Sequence, residues 1–259
     1  MRSDEEALVL SGATGGYREF RPAAALERHF QCIWSNALVH GHGASLAVVP
    51  DGCIDLTWIA GELIVAGPDV GVAVSPIAAA GTVVGIRFRP GAAAKWLGLP
   101  MSELVNSRIA LAAFWGARAR EIAARIGDQE AIAARMRVLQ EALVRIAPDM
   151  DAPAPDMGFV FNVLGTGSGG KGMAIVLDRL DMSPRTLRRR CEEAFGYGPK
   201  TLDRILRFQR FLRFAQAPGR PRLAGLAAAA GYADQAHLTR EVRRLSGFSP
   251  AAVLSQICA

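Results

Sequence analysis

MSPRTLRRRCEEAFGYGP, Met182 to Pro199, and ADQAHLTREVRRLSGFSP, Ala233 to Pro250, decide the fold when they are laid against each other. At a single offset of 51 residues, Leu187 falls on Leu238, Arg189 on Arg240, Gly196 on Gly247 and Pro199 on Pro250, with Tyr197 on Phe248. The stretches upstream align as well, Ile175-Val176 meeting Leu226-Ala227. A repeat at fixed spacing is one supersecondary unit used twice.

The grammar of each copy is the same. A short apolar helix (AIVLDRL; LAGLAAAAG) runs into a tight turn. An N-cap follows, Ser183 in one copy and Asp234 in the other, whose side-chain oxygen can accept from the first orphan backbone N–H groups. Pro184 stands at the first helical position, where the missing N–H costs nothing. The sequence thus predicts helix–turn–helix, twice. In the first of the two second helices, Leu187 and Cys191 face inward, while Arg185, Arg188 and Arg189 gather on the other side near the N-terminal end. In the second, Leu238 and Val242 face inward and Gln235, His237 and Arg240 outward. Arginine suits guanine O6 and N7, and a recognition helix presents its N-terminal part to base edges.

These residues carry a resemblance. Roughly Gly158 to Gln256, and most specifically AGYADQAHLTREVRRLSGFSP with the paired G-x-[GS]-P helix ends, resembles the DNA-binding domain of the AraC/XylS family of bacterial transcription regulators. The resemblance implies two helix–turn–helix units, joined by a long helix, in successive major grooves on one face of DNA. That long helix would be Pro199 to about Gln216, with Leu202, Ile205, Leu206, Phe208 and Leu212 holding the units together. The implied DNA-binding positions are Arg185, Thr186, Arg188 and Arg189 in the first helix, and Gln235, Ala236, His237, Thr239 and Arg240 in the second. Ala236 departs from the pattern, since it can touch a thymine methyl but cannot hydrogen-bond a base. Val176 departs too, standing where the motif usually has the small residue seen at Ala227. A regulator of this kind implies RNA polymerase as a further partner.

Charge points the same way. Residues 158–259 hold 16 Lys and Arg against 7 Asp and Glu, whereas residues 1–157 hold 14 against 17. A polyanion partner is therefore expected for one domain only. The stretch APDMDAPAPDMG, Ala147 to Gly158, has three prolines, three aspartates and no apolar period, so we place a linker over 147–157, between an N-terminal regulatory domain (1–146) and the DNA-binding domain (158–259).

Upstream, SLAVV, CIDLTWI, ELIVA and TVVGIRF alternate with turn signals at Pro50-Asp51-Gly52, Ala60-Gly61 and Gly67-Pro68. They predict a small antiparallel barrel or sandwich. From Lys95 to about Ile146 the pattern turns helical. Ile132, Met136, Leu139, Leu143 and Ile146 form an a/d-like seam that fits either a helix packed on its own domain or a homodimer contact through the 129–146 helix. The expected class is α+β: this sheet domain with helices, then an all-α tandem helix–turn–helix domain.

PDGCIDLTW and GIRFRPGAAAKWLGLPMSEL resemble an uncharacterised N-terminal domain fused to some AraC-type regulators, which implies effector sensing or dimerisation. Ile86 and Phe88 alternate with Arg87 and Arg89, so that strand has an apolar and a basic side. Surface arginine is the expected state. If either turned inward it could pair with Asp55 or clamp an anionic ligand, and Asp55, Trp58, Arg87 and Arg89 are the candidate effector-binding residues for a small-molecule effector. Trp34, Trp58, Trp96 and Trp115 are expected as core or pocket walls.

Other chemistries find little support. GTGSGGKG, Gly165 to Gly172, follows the apolar run FVFNVL and precedes a helix, the order of a phosphate-binding P-loop. Gly172 stands where a Ser/Thr hydroxyl would hold magnesium, and the next helix belongs to the repeat; we read the loop as a hinge. His29, Cys32, His40, His42 and Cys53 match no standard zinc spacing, so no metal and no cofactor are expected. No G-x-S-x-G or H-E-x-x-H occurs, and the expectation is a regulator, not an enzyme. The rival is an enzyme with its active site in the N-terminal barrel and a regulatory DNA-binding tail. Four scattered cysteines, no signal-peptide pattern in MRSDEEALVL and no apolar run of about 18 residues suggest a cytoplasmic protein that does not cross a membrane.

Overall fold

The computed structural model describes residues 7–11, 16–37, 44–76, 82–167, 170–217 and 222–257. Nine strands lie in the N-terminal part of these residues: β1 (Ala7–Leu10), β2 (Tyr17–Phe20), β3 (Phe30–Ala37), β4 (Ala44–Val48), β5 (Asp55–Ile59), β6 (Glu62–Ala66), β7 (Ala73–Pro76), β8 (Thr82–Phe88) and β9 (Arg108–Ala110). The helices there are α1 (Ala92–Leu97), α2 (Ala112–Trp115), α3 (Ala117–Gly127) and α4 (Ile132–Ile146). Beyond them come α5 (Pro155–Thr166), α6 (Gly172–Arg179), α7 (Pro184–Phe195), α8 (Pro199–Ala215), α9 (Leu223–Ala230), α10 (Gln235–Ser246) and α11 (Pro250–Ile257).

The strands do not close into a barrel. They form an antiparallel six-stranded sheet, β2-β3-β8-β5-β6-β9, and a three-stranded one, β1-β4-β7, in which β1 and β4 run parallel. Sandwich is the correct half of the barrel-or-sandwich expectation. Alternation explains the large sheet: Leu56, Trp58, Leu63, Val65, Val84, Ile86 and Phe88 all point to one face, where α1, α3 and α4 cover them. Ala60 and Gly61, both at positive φ, make the two-residue hairpin between β5 and β6. The sequence reading missed β1, β2, β3, β7 and β9; β9 lies inside the stretch read as helical.

The α4 seam has its answer here. Leu139, Leu143 and Ile146 are buried in this core, and Ile132 and Met136 pack against it. The a/d spacing of α4 thus packs the helix on its own sheet, with Ile132 and Met136 half-buried at its N-terminal end.

The segment read as a linker is short. Ala147–Asp149 makes a 3-10 turn, and α5 begins at Pro155, so the run FVFNVL is helical and not a strand. A P-loop requires a strand at that place, which removes the nucleotide reading; Ser168 and Gly169 of the loop lie outside the described residues. A second core runs through α5–α11, and it includes Leu10 and Ala47 of the small sheet. Leu10 N donates to Gln256 Oε1 at 2.7 Å, and Gln209 Nε2 donates to the Pro50 carbonyl at 2.8 Å. The sheet domain and the helical domain thus share packed surface. Among the described residues no helix is long and apolar enough to cross a membrane.

Candidate nucleic-acid interface

The repeat holds register for register. α6, α7 and the N-terminus of α8 recur 51 residues on as α9, α10 and the N-terminus of α11. Each second helix is capped as its sequence dictates: Ser183 Oγ accepts from Thr186 N at 3.1 Å, and Asp234 Oδ1 from His237 N at 2.6 Å. Each buries one stripe, Leu187, Cys191, Ala194 and Phe195 in α7, and Leu238, Val242 and Leu245 in α10.

The opposite stripes face solvent. Arg185, Arg188 and Arg189 are exposed on α7, spaced so that they share a face, with Thr186 half-buried beside them. Arg188 Nε donates to Glu192 Oε1 at 2.8 Å, one turn away. Arg185 and Arg189 have no carboxylate partner among the described residues. On α10, Gln235, Ala236 and Arg240 are exposed, while His237 and Thr239 are half-buried. Thr239 Oγ1 donates to the Gln235 carbonyl at 2.8 Å, which ties its hydroxyl to the helix backbone. His237 is oriented by two contacts: its ring stands edge-on to Tyr232 at 5.3 Å, and its Nδ1 accepts from Ala233 N at 3.4 Å. A neutral imidazole that accepts at Nδ1 carries its proton on Nε2, which is left as a donor.

The remaining helices support these two. In α8, Leu202, Ile205, Leu206, Phe208 and Phe211 are buried, and Leu212 is half-buried. Arg204 of α8 pairs with Glu241 of α10 at 2.7 Å, and Arg190 of α7 pairs with Asp156 of α5. The sequence reading found the apolar residues but missed the buried Arg210. Its signal was there: Leu202, Leu206 and Arg210 advance by four, so the arginine lies on the buried stripe.

The N-terminal domain meets both units at the C-terminal ends of their second helices. A Cβ on Gly196, just after α7, would stand 2.6 Å from Pro68 Cγ and 2.8 Å from the Met101 carbonyl oxygen. A Cβ on Gly247, just after α10, would be 3.6 Å from Val72 Cγ1. A cavity of about 590 Å³ opens between the Asp69–Ala73 loop, α8 and α10, lined among others by Val70, Val72, Asn106, Thr201, Arg204 and Arg244.

The four candidate effector residues do not come together. Asp55 and Arg87 face each other across β5 and β8, joined by two hydrogen bonds of 3.1 Å. Arg87 also reaches Asp51 at 2.9 Å and Glu19 at 3.7 Å, and its side chain is only 17% exposed. The expectation of surface arginine fails for Arg87, because its strand face is roofed by these carboxylates. Burial pushes the Asp55 carboxyl above its ordinary value, with the Arg87 guanidinium opposing the rise. Trp58 lies on the other face of the sheet, donating from Nε1 to the Ala123 carbonyl at 3.0 Å with the Arg135 guanidinium over its ring. Arg89 is exposed and donates to the Glu27 carbonyl.

The zinc candidates separate as well. His29 stands edge-on to Trp96 in the core, whereas Cys32 packs beside Trp34 and Val83 on the sheet's other face. His40 and His42 lie outside the described residues. Among the described residues no three His, Cys, Asp or Glu gather as a metal-binding group.

Comparison with known proteins fits this geometry. Residues 176–256 match the family described as a Helix-turn-helix domain, and residues 18–110 match a Domain of unknown function (DUF6597). No curated protein matches the chain by sequence. Among solved structures, ToxT from Vibrio cholerae superposes with a TM-score of 0.50 at 9% identity, covering 88% of this chain and 100% of that one. An apo ToxT variant from the same organism gives 0.49 at 10% identity, covering 87% and 97%. ToxT bound to a methylnaphthalenyl butenoic acid gives 0.49 at 9% identity, covering 88% and 100%. At such identities the likeness speaks for the fold alone. The repeated, capped helix pair and the family match together make this chain an AraC-type DNA-binding transcription regulator, with a domain of unknown function ahead of its helix–turn–helix domain.

Proposed function

We propose that the protein reads two DNA subsites one helical turn apart, α7 entering one major groove and α10 the next, under control of its N-terminal domain. The observation that carries this reading is the recurrence of a capped helix pair at 51 residues, both recognition faces open to solvent. Arg185, Thr186, Arg188 and Arg189 form the first reading surface; Gln235, Ala236, His237, Thr239 and Arg240 form the second. Arg185 and Arg189 supply two-pronged donors for guanine, the His237 Nε2 proton can go to a base acceptor, and Ala236 can meet a thymine methyl.

Control reaches the reading surfaces through packed contacts. The turn Pro50-Asp51-Gly52 abuts α8 by way of Gln209, and Arg87 holds Asp51 from the sheet side. A change at the Asp55–Arg87 pair is thereby felt at the helix that joins the two units. The interdomain cavity is large enough for a small-molecule effector. On this reading the chain acts in the cytoplasm, works on transcription through contacts with RNA polymerase, and needs no active site of its own.

The test uses the full chain and duplexes it selects from a randomised pool. Two subsites separated by about one turn should emerge, and inserting about five base pairs between them places them on opposite faces. Affinity should then fall to the non-specific level, on the order of a thousandfold or more. Unchanged affinity would show that one helix alone reads DNA.

A further inference from the structure

Arg210 is buried in α8, 4% exposed, and no carboxylate among the described residues pairs with it. A buried charge without a partner is expensive. Here the partners are backbone carbonyls at two helix C-termini. Its Nη1 donates to the Leu164 oxygen at 2.6 Å and to the Gly165 oxygen at 3.1 Å, in the last turn of α5. Its Nε donates to the Ala230 oxygen at 3.3 Å, at the end of α9. The last carbonyls of a helix lack intrahelical partners and carry about half a negative charge together. Two such ends amount to roughly one negative charge around this guanidinium.

The surroundings are built for it. Gly167, at φ +75°, closes α5, and a Cβ there would stand 2.8 Å from Arg210 Nε. Any other residue would collide with the guanidinium, so the glycine that ends the helix also makes room for the arginine. A lysine would not replace it, because one ammonium on a flexible stem cannot hold the planar fork that addresses both helix ends.

The two helix ends belong to different units. α5 supports the first, its Leu164 lying where a Cβ on Gly172 at the start of α6 would be 3.3 Å away. α9 is the first helix of the second unit, and the chain runs from Ala230 through Gly231 to Tyr232. The Tyr232 ring stands between the Arg207 guanidinium, at 5.7 Å, and the base-facing His237, at 5.3 Å. From these contacts we infer that Arg210 is a positioning residue that pins both helix–turn–helix units to α8 and so fixes the spacing and angle between the two recognition helices. The inference rests on the reading of two grooves proposed above.

The experiment keeps the two apart by including a measurement without DNA. Spin labels at Glu193→Cys on α7 and Arg243→Cys on α10, in a Cys53→Ser, Cys258→Ser background of the full chain, report the distance between the recognition helices. The parent should give one narrow distribution; Arg210→Lys, and Arg210→Met as a second variant, should broaden it. In parallel, affinity is measured on the selected duplex and on versions with one base pair added or removed between subsites. The parent should lose about tenfold or more per altered base pair, while Arg210→Lys should discriminate less than about threefold and bind an isolated subsite as the parent does. A folded variant with an unchanged distance distribution overturns the inference. Failure of both variants to fold also overturns it, since Arg210 would then hold each unit together and not their mutual orientation. A parent indifferent to spacing sinks the two-groove reading, and the distance measurement still decides the pin.

Discussion

The two helix–turn–helix units share a grammar and differ in how they are held. In the first, α7 carries Arg185, Arg188 and Arg189 outward and runs its C-terminal end into the N-terminal domain, against Pro68 and Met101. In the second, α10 presents Gln235, Ala236, His237 and Arg240, and a Cβ on the glycine after it would meet Val72 at an ordinary 3.6 Å. The first helices differ too: Ile175 is 38% exposed where its counterpart Leu226 is buried, and Val176 and Ala227 are both buried. The turns place their left-handed residue differently, Asp181 at φ +46° in one and Gly231 at φ +86° in the other, one repeat position apart. The first unit is thus rich in charge and clamped from outside. The second is poorer in charge, and the contact of Tyr232 with His237 orients its reading surface from within.

The matched glycines give the largest test of that difference. Gly196 and Gly247 both sit at left-handed φ, +82° and +76°, so alanine costs about 1–2 kcal/mol at either from the backbone alone. At Gly196 the new methyl must also displace Pro68 or the Met101 carbonyl, adding about 1–3 kcal/mol of overpacking. Gly196→Ala should therefore lower the stability of the full chain by about 2–5 kcal/mol, and Gly247→Ala by about 1–2. Chemical unfolding followed by circular dichroism measures both. Equal losses would mean that the N-terminal domain does not grip the first unit more tightly.

Next in size is the division of sequence reading. Arg185→Ala or Arg189→Ala should each weaken binding to the selected duplex on the order of ten- to a hundredfold and relax preference at one or two base pairs. Gln235→Ala should fall short of that, because an amide contact is uncharged. Binding titrations on the selected duplex and its single-base variants decide the matter. A loss spread evenly over unrelated sequences, with a flatter salt dependence, would make these arginines phosphate contacts instead.

What the sequence discloses follows from how local each signal is. The caps, Pro184 and the buried stripes of α7 and α10 are set within one turn or two of their own residues, so the repeat was legible to the helix boundary. β5 and β6 were legible because each alternates over five residues and ends at a turn, Ala60-Gly61 after one and Gly67-Pro68 after the other. β3 hid because its partner β8 lies some fifty residues on and its buried residues run nearly unbroken from Cys32 to Asn36; such a run carries no period of two. FVFNVL looked like a strand for the same reason. Arg87 and Arg210 hid for another: a charged residue reads as surface until carboxylates or helix ends from distant segments are known to converge on it.

The smallest effect concerns the caps, and it separates the units by charge. Ser183 is a neutral cap on a helix whose first turn Pro184 already pre-sets, so Ser183→Ala should cost about 0.5–1 kcal/mol. Asp234 is a charged acceptor at a helix N-terminus with no proline behind it, and its bond to His237 N is short at 2.6 Å. Asp234→Ala should cost about 1–2 kcal/mol and should also loosen the His237 ring that this turn orients. Asp234→Asn keeps the acceptor and removes the charge, so it should cost about 0.5 kcal/mol or less beyond the loss of the dipole interaction. The carboxylate stands at the end of α10 proposed to enter the groove, where it opposes the phosphates. Its neutralisation should therefore raise affinity for non-cognate duplex at low salt, with the gain shrinking as salt rises. Thermal unfolding and a salt titration of binding read the two effects separately. Should Asp234→Asn weaken DNA binding at every salt concentration while leaving stability unchanged, the carboxylate contacts a base, and Asp234 belongs to the reading surface.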